Sequence, residues 1–220
     1  MMKIVFMNPN SSEAMTQSIL SVARAAAAPD VQVVGWTNKN GPQSIQGIED
    51  GQAAITGLLT GLQSDDVTNA EAIVIACFDD VGLSDMQRAA PCPVIGIGQA
   101  SYVMAELLGQ PFSVVTSVQA SVPVIEGNIA CRGTALNCVS VRASGLPVLT
   151  IEEGTEKTRQ HLANEILKAK ERDGARTIVL GCAGMATLHK DLKARTGMVL
   201  IEGVSAAVAL CTSVEGLRLF

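Results

Sequence analysis

Ala72-Ile73-Val74-Ile75-Ala76-Cys77 and Thr177-Ile178-Val179-Leu180-Gly181-Cys182 are two apolar runs that each end on a cysteine, 105 positions apart (182 − 77). A run apolar on both faces needs cover on both sides, as in a central strand of a parallel sheet. Outward from the first run, strand-like segments lie at Lys3–Met7, Val31–Trp36 and Pro93–Ile97. Helical stretches separate them, such as Glu13–Ala28, closed by Pro29, and Gln52–Leu62. Around the second run the strand-like segments recur at Phe112–Thr116, Leu136–Val141 and Met198–Ile201. Counterparts start 105 to 109 residues apart, and Gly203 repeats Gly98 at the cysteine spacing. Alternating strand and helix predicts parallel α/β layers. The near-constant offset predicts a duplication: two halves related by a pseudo-twofold axis, each a four-stranded parallel sheet flanked by helices. The alternative is one eight-stranded sheet without symmetry. Only the short turn Leu108-Gly109-Gln110-Pro111 marks the junction, so the halves are expected to pack closely over a cleft.

Composition narrows the function. Apolar residues make up 48% of the 220 and charged residues 17%, which argues for a packed core and against disorder. The net charge is -5 with both signs dispersed, so no basic stripe exists to neutralise phosphates and no nucleic-acid partner is expected. Aromatics at 3% are too few for a base-stacking surface. No run approaches the ~18 apolar residues of a membrane span. The apolar run Ile4–Met7 is too short for a signal peptide, so a cytoplasmic address with reduced thiols is expected. The six cysteines lack C-x-x-C spacing, and Cys92, Cys131, Cys138 and Cys211 are assigned to packing. His161 and His189 sit on polar helical stretches, read as solvated, without a second ligand; no metal is proposed. Gly96-Ile97-Gly98-Gln99-Ala100-Ser101 lacks the third glycine of a dinucleotide fingerprint and follows a fourth strand. No cofactor is expected.

Ligands of open α/β sheets bind beyond the carboxyl ends of the strands. Cys77 and Cys182 sit at such ends, so two facing sheets would turn both thiols into one pocket. Helix starts near Gly82–Asp85 and Gly184–Met185 would favour thiolate. A thiolate and a thiol on opposite sides of a carbon remove and return a proton, inverting it without a cofactor. Asn8-Pro9-Asn10-Ser11-Ser12 follows the first strand, and Thr116-Ser117 follows its counterpart. Asn10 with Glu13 reads either as a capping box or as a holder of ligand carbonyls; Thr116 and Ser117 would bring hydroxyls from the other half. The loop Gly41–Ile45 is either a surface turn or adds Ser44 and Ile45 to the wall. Two carboxylates beside a thiol would raise its pKa, so one of Asp79 and Asp80 is expected to cap the following helix.

Met7-Asn8-Pro9-Asn10-Ser11-Ser12 and Gly41-Pro42-x-Ser44-Ile45-x-Gly47 resemble the opening of hydantoin and allantoin racemases, within the aspartate/glutamate racemase superfamily. Val74–Phe78, Phe112–Thr116 and Ile178–Met185 are similar to its two cysteine motifs and central strand, and Ile201–Val208 to its closing segment. The resemblance implies two flavodoxin-like domains, 1–98 plus 203–220 and 99–202. It implies cofactor-independent racemisation of 5-substituted hydantoins or allantoin, a small-molecule substrate, and a homo-oligomer. Cys77 and Cys182 map to the catalytic pair, and Asn10, Ser44, Ile45, Phe78, Thr116, Ser117 and Gly184 to pocket positions. Family members usually carry Gly and Pro where this chain has Asp79 and Val81. The chain stops soon after Leu217, short of an extension many relatives carry. Amino-acid racemases of the superfamily usually place Thr after each cysteine, where this chain has Phe78 and Ala183. That ranks an aspartate- or glutamate-type racemase second, beside a binding protein without turnover.

Overall fold

The computed structural model of the protein describes residues 2–133 and 136–216. The chain runs β1 (Met2–Asn8), α1 (Glu13–Ala26), β2 (Val31–Thr37), α2 (Ile48–Gly61), β3 (Ala72–Ile75), α3 (Leu83–Ala89), β4 (Val94–Gly96) and α4 (Ile97–Leu108). It continues with β5 (Phe112–Thr116), α5 (Val122–Cys131), β6 (Cys138–Ala143), α6 (Val148–Glu153), α7 (Glu156–Asp173), β7 (Thr177–Gly181), α8 (His189–Thr196), β8 (Val199–Glu202) and α9 (Gly203–Gly216). These strands form two parallel sheets, ordered β2-β1-β3-β4 and β6-β5-β7-β8. The second order repeats the first strand for strand, so the duplicated architecture holds and the single eight-stranded sheet does not.

Period-two alternation sorts the first sheet's side chains between two apolar layers. Ile4, Phe6 and Val74 enter a large cluster that also takes Phe112, Val114 and Ile178 of the second sheet. Val5, Met7, Ile73 and Ile75 point the other way, onto Leu58 and Met86. Each such side chain removed from water contributes about 1.5–3 kcal/mol, and the shared cluster ties the halves together.

Helix ends follow local chemistry. The hydroxyl of Ser12 accepts the N–H of Met15, capping α1; the cap is Ser12 and not Asn10. α2 starts at Ile48, ahead of the expected Gln52, with Glu49 and Asp50 in its first turn where the helix dipole favours carboxylates. β6 starts two residues later than its apolar run implies, because Leu136 is 94% exposed. α9 packs on α4 and α1. A Cβ on Gly203 would stand 2.8 Å from that of Ile97, so only glycine permits this close approach. Neither histidine is simply solvated: both are half-buried, with Nε2 of His161 at 2.7 Å from Ser144 O and Nε2 of His189 at 3.1 Å from Leu200 O.

Candidate active site

β3 and β7 are inner strands of their sheets, each paired on both sides. Beyond β3 the N–H of Ala76 still donates to Met7 O, and the chain then turns at Cys77. Beyond β7 it turns at Cys182. The register that makes the two strands equivalent brings both thiols to one small cavity. Asn10, Met15, Ile45, Ala76, Phe78 and Asp79 line it from the first half; Ser117, Ser121, Val148, Gly181 and Ala183 line it from the second.

The two turns differ. After Cys77 the chain enters a left-handed conformation at Asp80, φ 51°, and again at Gly82, φ 63°; aspartate tolerates this region better than most residues. After Cys182 the chain passes directly into a short 3-10 helix, Ala183–Leu188. The backbone amide of Asp79 acts to favour the Cys77 thiolate and those of Gly184 and Met185 the Cys182 thiolate, while Met185 N–H donates to the Cys182 carbonyl at 3.0 Å.

Asp80 holds the first turn in place. Its Oδ1 accepts the N–H of Gly98 at 3.0 Å and its Oδ2 that of Gln99 at 2.8 Å, and Arg132 stands 3.6 Å away. It therefore caps α4, not the following helix α3. The glycine-containing segment 96–101 is the N-terminus of α4, and a carboxylate of the chain itself fills the position where a phosphate would sit in a dinucleotide fold. Burial pushes Asp80 up to about 7, against the pull of Arg132 and the two amides.

Asp79 instead faces the cavity. Its Oδ2 accepts from Ser121 Oγ at 3.2 Å, and its backbone carbonyl from Asn128 Nδ2 at 3.0 Å. Burial pushes its carboxyl up to about 6, Ser121 pulling the other way. The expectation that helix N-termini would favour thiolate is corrected. Burial, then the charge of Asp79, holds Cys77 well above its usual range. Burial raises Cys182 to about 12, with Asp79 and Glu152 adding to it and the Gly184 and Met185 amides opposing. α3 begins only at Leu83, too far from Cys77 for its dipole to act.

Of the nine residues singled out in the sequence, Cys77, Cys182, Asn10, Ile45, Phe78 and Ser117 line the cavity. Asn10 is braced by Asn8 Nδ2 and the N–H of Ser12. Phe78 meets Tyr102 edge-on, with centroids 5.6 Å apart. Ser44, Thr116 and Gly184 are not among the lining residues. The Thr116 hydroxyl donates to Gly181 O at 2.7 Å, and Gly184 packs against Ile151 and Glu152 of α6. Val148 also lines the cavity, and no sequence signal points to it; its N–H donates to Gln46 Oε1 of the other half. Neither Asp79 nor Asp80 caps the following helix α3 with its side chain, and Ser121 carries no sequence signal of its place in the cavity. Among the described residues no group of His, Cys, Asp and Glu could hold a metal ion, and no helix is long and apolar enough to cross a membrane.

Two repeated α/β halves that each send one cysteine into a common cleft define a class of duplicated proteins. Residues 4–211 match the family described as Asp/Glu/Hydantoin racemase. The hydantoin racemase of Rhizobium meliloti is 39% identical over 215 residues, covering 98% of this chain and 89% of that one. The hydantoin racemase of Pseudomonas sp. (strain NS671) is 34% identical over 216 residues, covering 98% and 87%. The solved structure of allantoin racemase from Klebsiella pneumoniae superposes with a TM-score of 0.94 at 35% identity, covering 100% of this chain and 89% of that one. The chain belongs to the Asp/Glu/Hydantoin racemase family, in its hydantoin and allantoin racemase branch.

Proposed function

We propose that this chain is a cofactor-independent isomerase that inverts C5 of 5-monosubstituted hydantoins or of allantoin, passing a proton between Cys77 and Cys182. The observation that carries this reading is the presence of two thiols from equivalent strand ends in one cavity. The C5 hydrogen lies beside a carbonyl, so its removal leaves an enolate-like anion. One sulfur, as thiolate, takes that proton from one face; the other, as thiol, returns one to the opposite face. The side-chain amide of Asn10 and the hydroxyl of Ser117, both lining the cavity, would hold the developing oxyanion. The burial that raises both thiols keeps the acid partner protonated and makes the base, once formed, a strong one. In the same reading residues 1–98 with 203–220 form one domain and 99–202 the other; 217–220 lie outside the described residues.

A free dicarboxylate amino acid fits less well. The lining has no Lys or Arg to meet a carboxylate, and it already holds the carboxylate of Asp79. The test is incubation of single enantiomers of benzylhydantoin and allantoin in heavy water, following optical rotation and deuterium at C5. Both are expected to change with the wild type, and Cys77→Ser and Cys182→Ser are each expected to lose full racemisation. Wild-type rates in both single variants would overturn the two-base scheme.

A further inference from the structure

We infer that Asp79 and Ser121 form a polar end of the thiol cavity that selects substrates whose C5 arm carries N–H donors, a ureido or amino group, over substrates with a hydrocarbon arm. The inference rests on the racemase reading for its substrate class, and it adds a residue that sets specificity within that class.

Asp79 is 8% exposed and lines the cavity beside Ala76, Phe78 and Val148. A carboxylate offers about four lone-pair positions. Among the described residues its side chain takes one hydrogen bond, from Ser121 Oγ to Oδ2, and Oδ1 is left for a ligand. Its backbone is anchored separately, the carbonyl accepting from Asn128 Nδ2 at 3.0 Å, so the side chain is aimed while its acceptor capacity stays free. A hydrocarbon arm pushed against such a group strips its remaining water and returns nothing. An N–H arm restores the lost bond, and it does so with a charged acceptor, the stronger kind. A site built around a buried acceptor therefore rejects ligands that leave it unpaired.

Asn10, at the end of β1, and Ser117, at the end of β5, are left to meet the ring that all hydantoins share. The Asp79–Ser121 pair bridges the two halves on the β3–α5 side of Cys77, the sulfur that in the racemase reading exchanges a proton with C5. An arm on that atom is the part of the ligand within its reach.

Allantoin and 5-isobutylhydantoin make a matched pair. The ureido and isobutyl arms share one branched heavy-atom skeleton and differ in whether N–H and carbonyl groups or methylene and methyl groups occupy it. Their C5–H acidities differ, so the wild-type ratio alone is not the test. The charge of Asp79 also acts on both thiols whichever substrate is bound, and its removal scales both rates together. The change in ratio reports contact with the arm.

The experiment measures kcat/KM for both substrates, and calorimetric binding of both, with the wild type, Asp79→Ala and Asp79→Asn. In Asp79→Ala the allantoin-to-isobutylhydantoin ratio is expected to fall at least ~10-fold, in rate and in affinity. Asp79→Asn keeps the volume and the Ser121 contact, serves if the alanine variant does not fold, and is expected to lower the ratio ~3-fold or more. An unchanged ratio in a folded variant, with both substrates affected equally, would overturn the inference and leave the racemase reading standing. If the wild type racemises neither compound, that reading fails. Binding still decides the inference: an allantoin preference lost in the variants supports it, and no preference overturns it.

Discussion

Asp80 Oδ2 accepts the N–H of Gln99 at 2.8 Å, and through that bond the turn carrying Cys77 is clamped to the N-terminus of α4. The same carboxylate takes Gly98 N–H on its other oxygen and faces Arg132. Replacing it leaves two helix-terminal amides and a guanidinium without their acceptor. Asp80→Ala is expected to cost about 2–4 kcal/mol in urea or guanidinium unfolding. Racemisation is expected to fall by more than the loss of folded protein explains, because Cys77 is no longer fixed. Unchanged stability would show that the clamp carries no load.

Thr116 and Ser117 are adjacent, yet they are expected to behave differently. Thr116→Val keeps the shape and loses the 2.7 Å bond to Gly181 O, a change expected to cost ~1 kcal/mol of stability with kcat/KM within a few-fold of wild type. Ser117→Ala touches the cavity itself and is expected to lower kcat/KM with little change in stability. A reversed pattern in unfolding and steady-state assays would reassign the two hydroxyls.

The thiols carry a pH signature. A raised pKa means that the protonated form prevails at neutral pH, so thiolate grows as pH rises. Asp79 contributes to the rise at both sulfurs. Removing its charge in Asp79→Asn lowers both values and enlarges the thiolate fraction at a given pH. Alkylation of Cys77 by iodoacetamide, followed by peptide mass spectrometry, is therefore expected to be several-fold faster at pH 8 in Asp79→Asn. The alkaline rise of kcat/KM should move to lower pH. Equal alkylation rates would mean that the carboxylate does not act on the sulfur.

Much of the architecture was legible because a doubly covered parallel strand must be apolar on both faces, and Ile73–Ile75 and Ile178–Leu180 are. Pairing them across 105 residues located the cysteines and both sheets. Where tertiary context decides, the sequence was silent or misleading. Leu136 has a strand's hydropathy but stays in solvent at a sheet edge. The Asp79-Asp80 pair has identical side chains, and only the left-handed turn sends one to α4 and the other to the cavity. Thr116 looks like a binding hydroxyl until the neighbouring strand supplies Gly181 O as its acceptor. Burial of the thiols also outweighs the local amides, a balance that spacing along a chain does not report.

The unlike turns after Cys77 and Cys182 have a thermodynamic corollary for the proposed reaction. Mirror-image forms of a molecule with a single stereocentre have equal free energy in water, so the equilibrium constant between them is one. The Haldane relation then requires identical kcat/KM for the two hands, however unequal the sulfurs' surroundings. The asymmetry between a sulfur beside a carboxylate and one held by two amides can show itself only as a compensated split, with the hand that turns over faster also saturating at proportionally higher concentration.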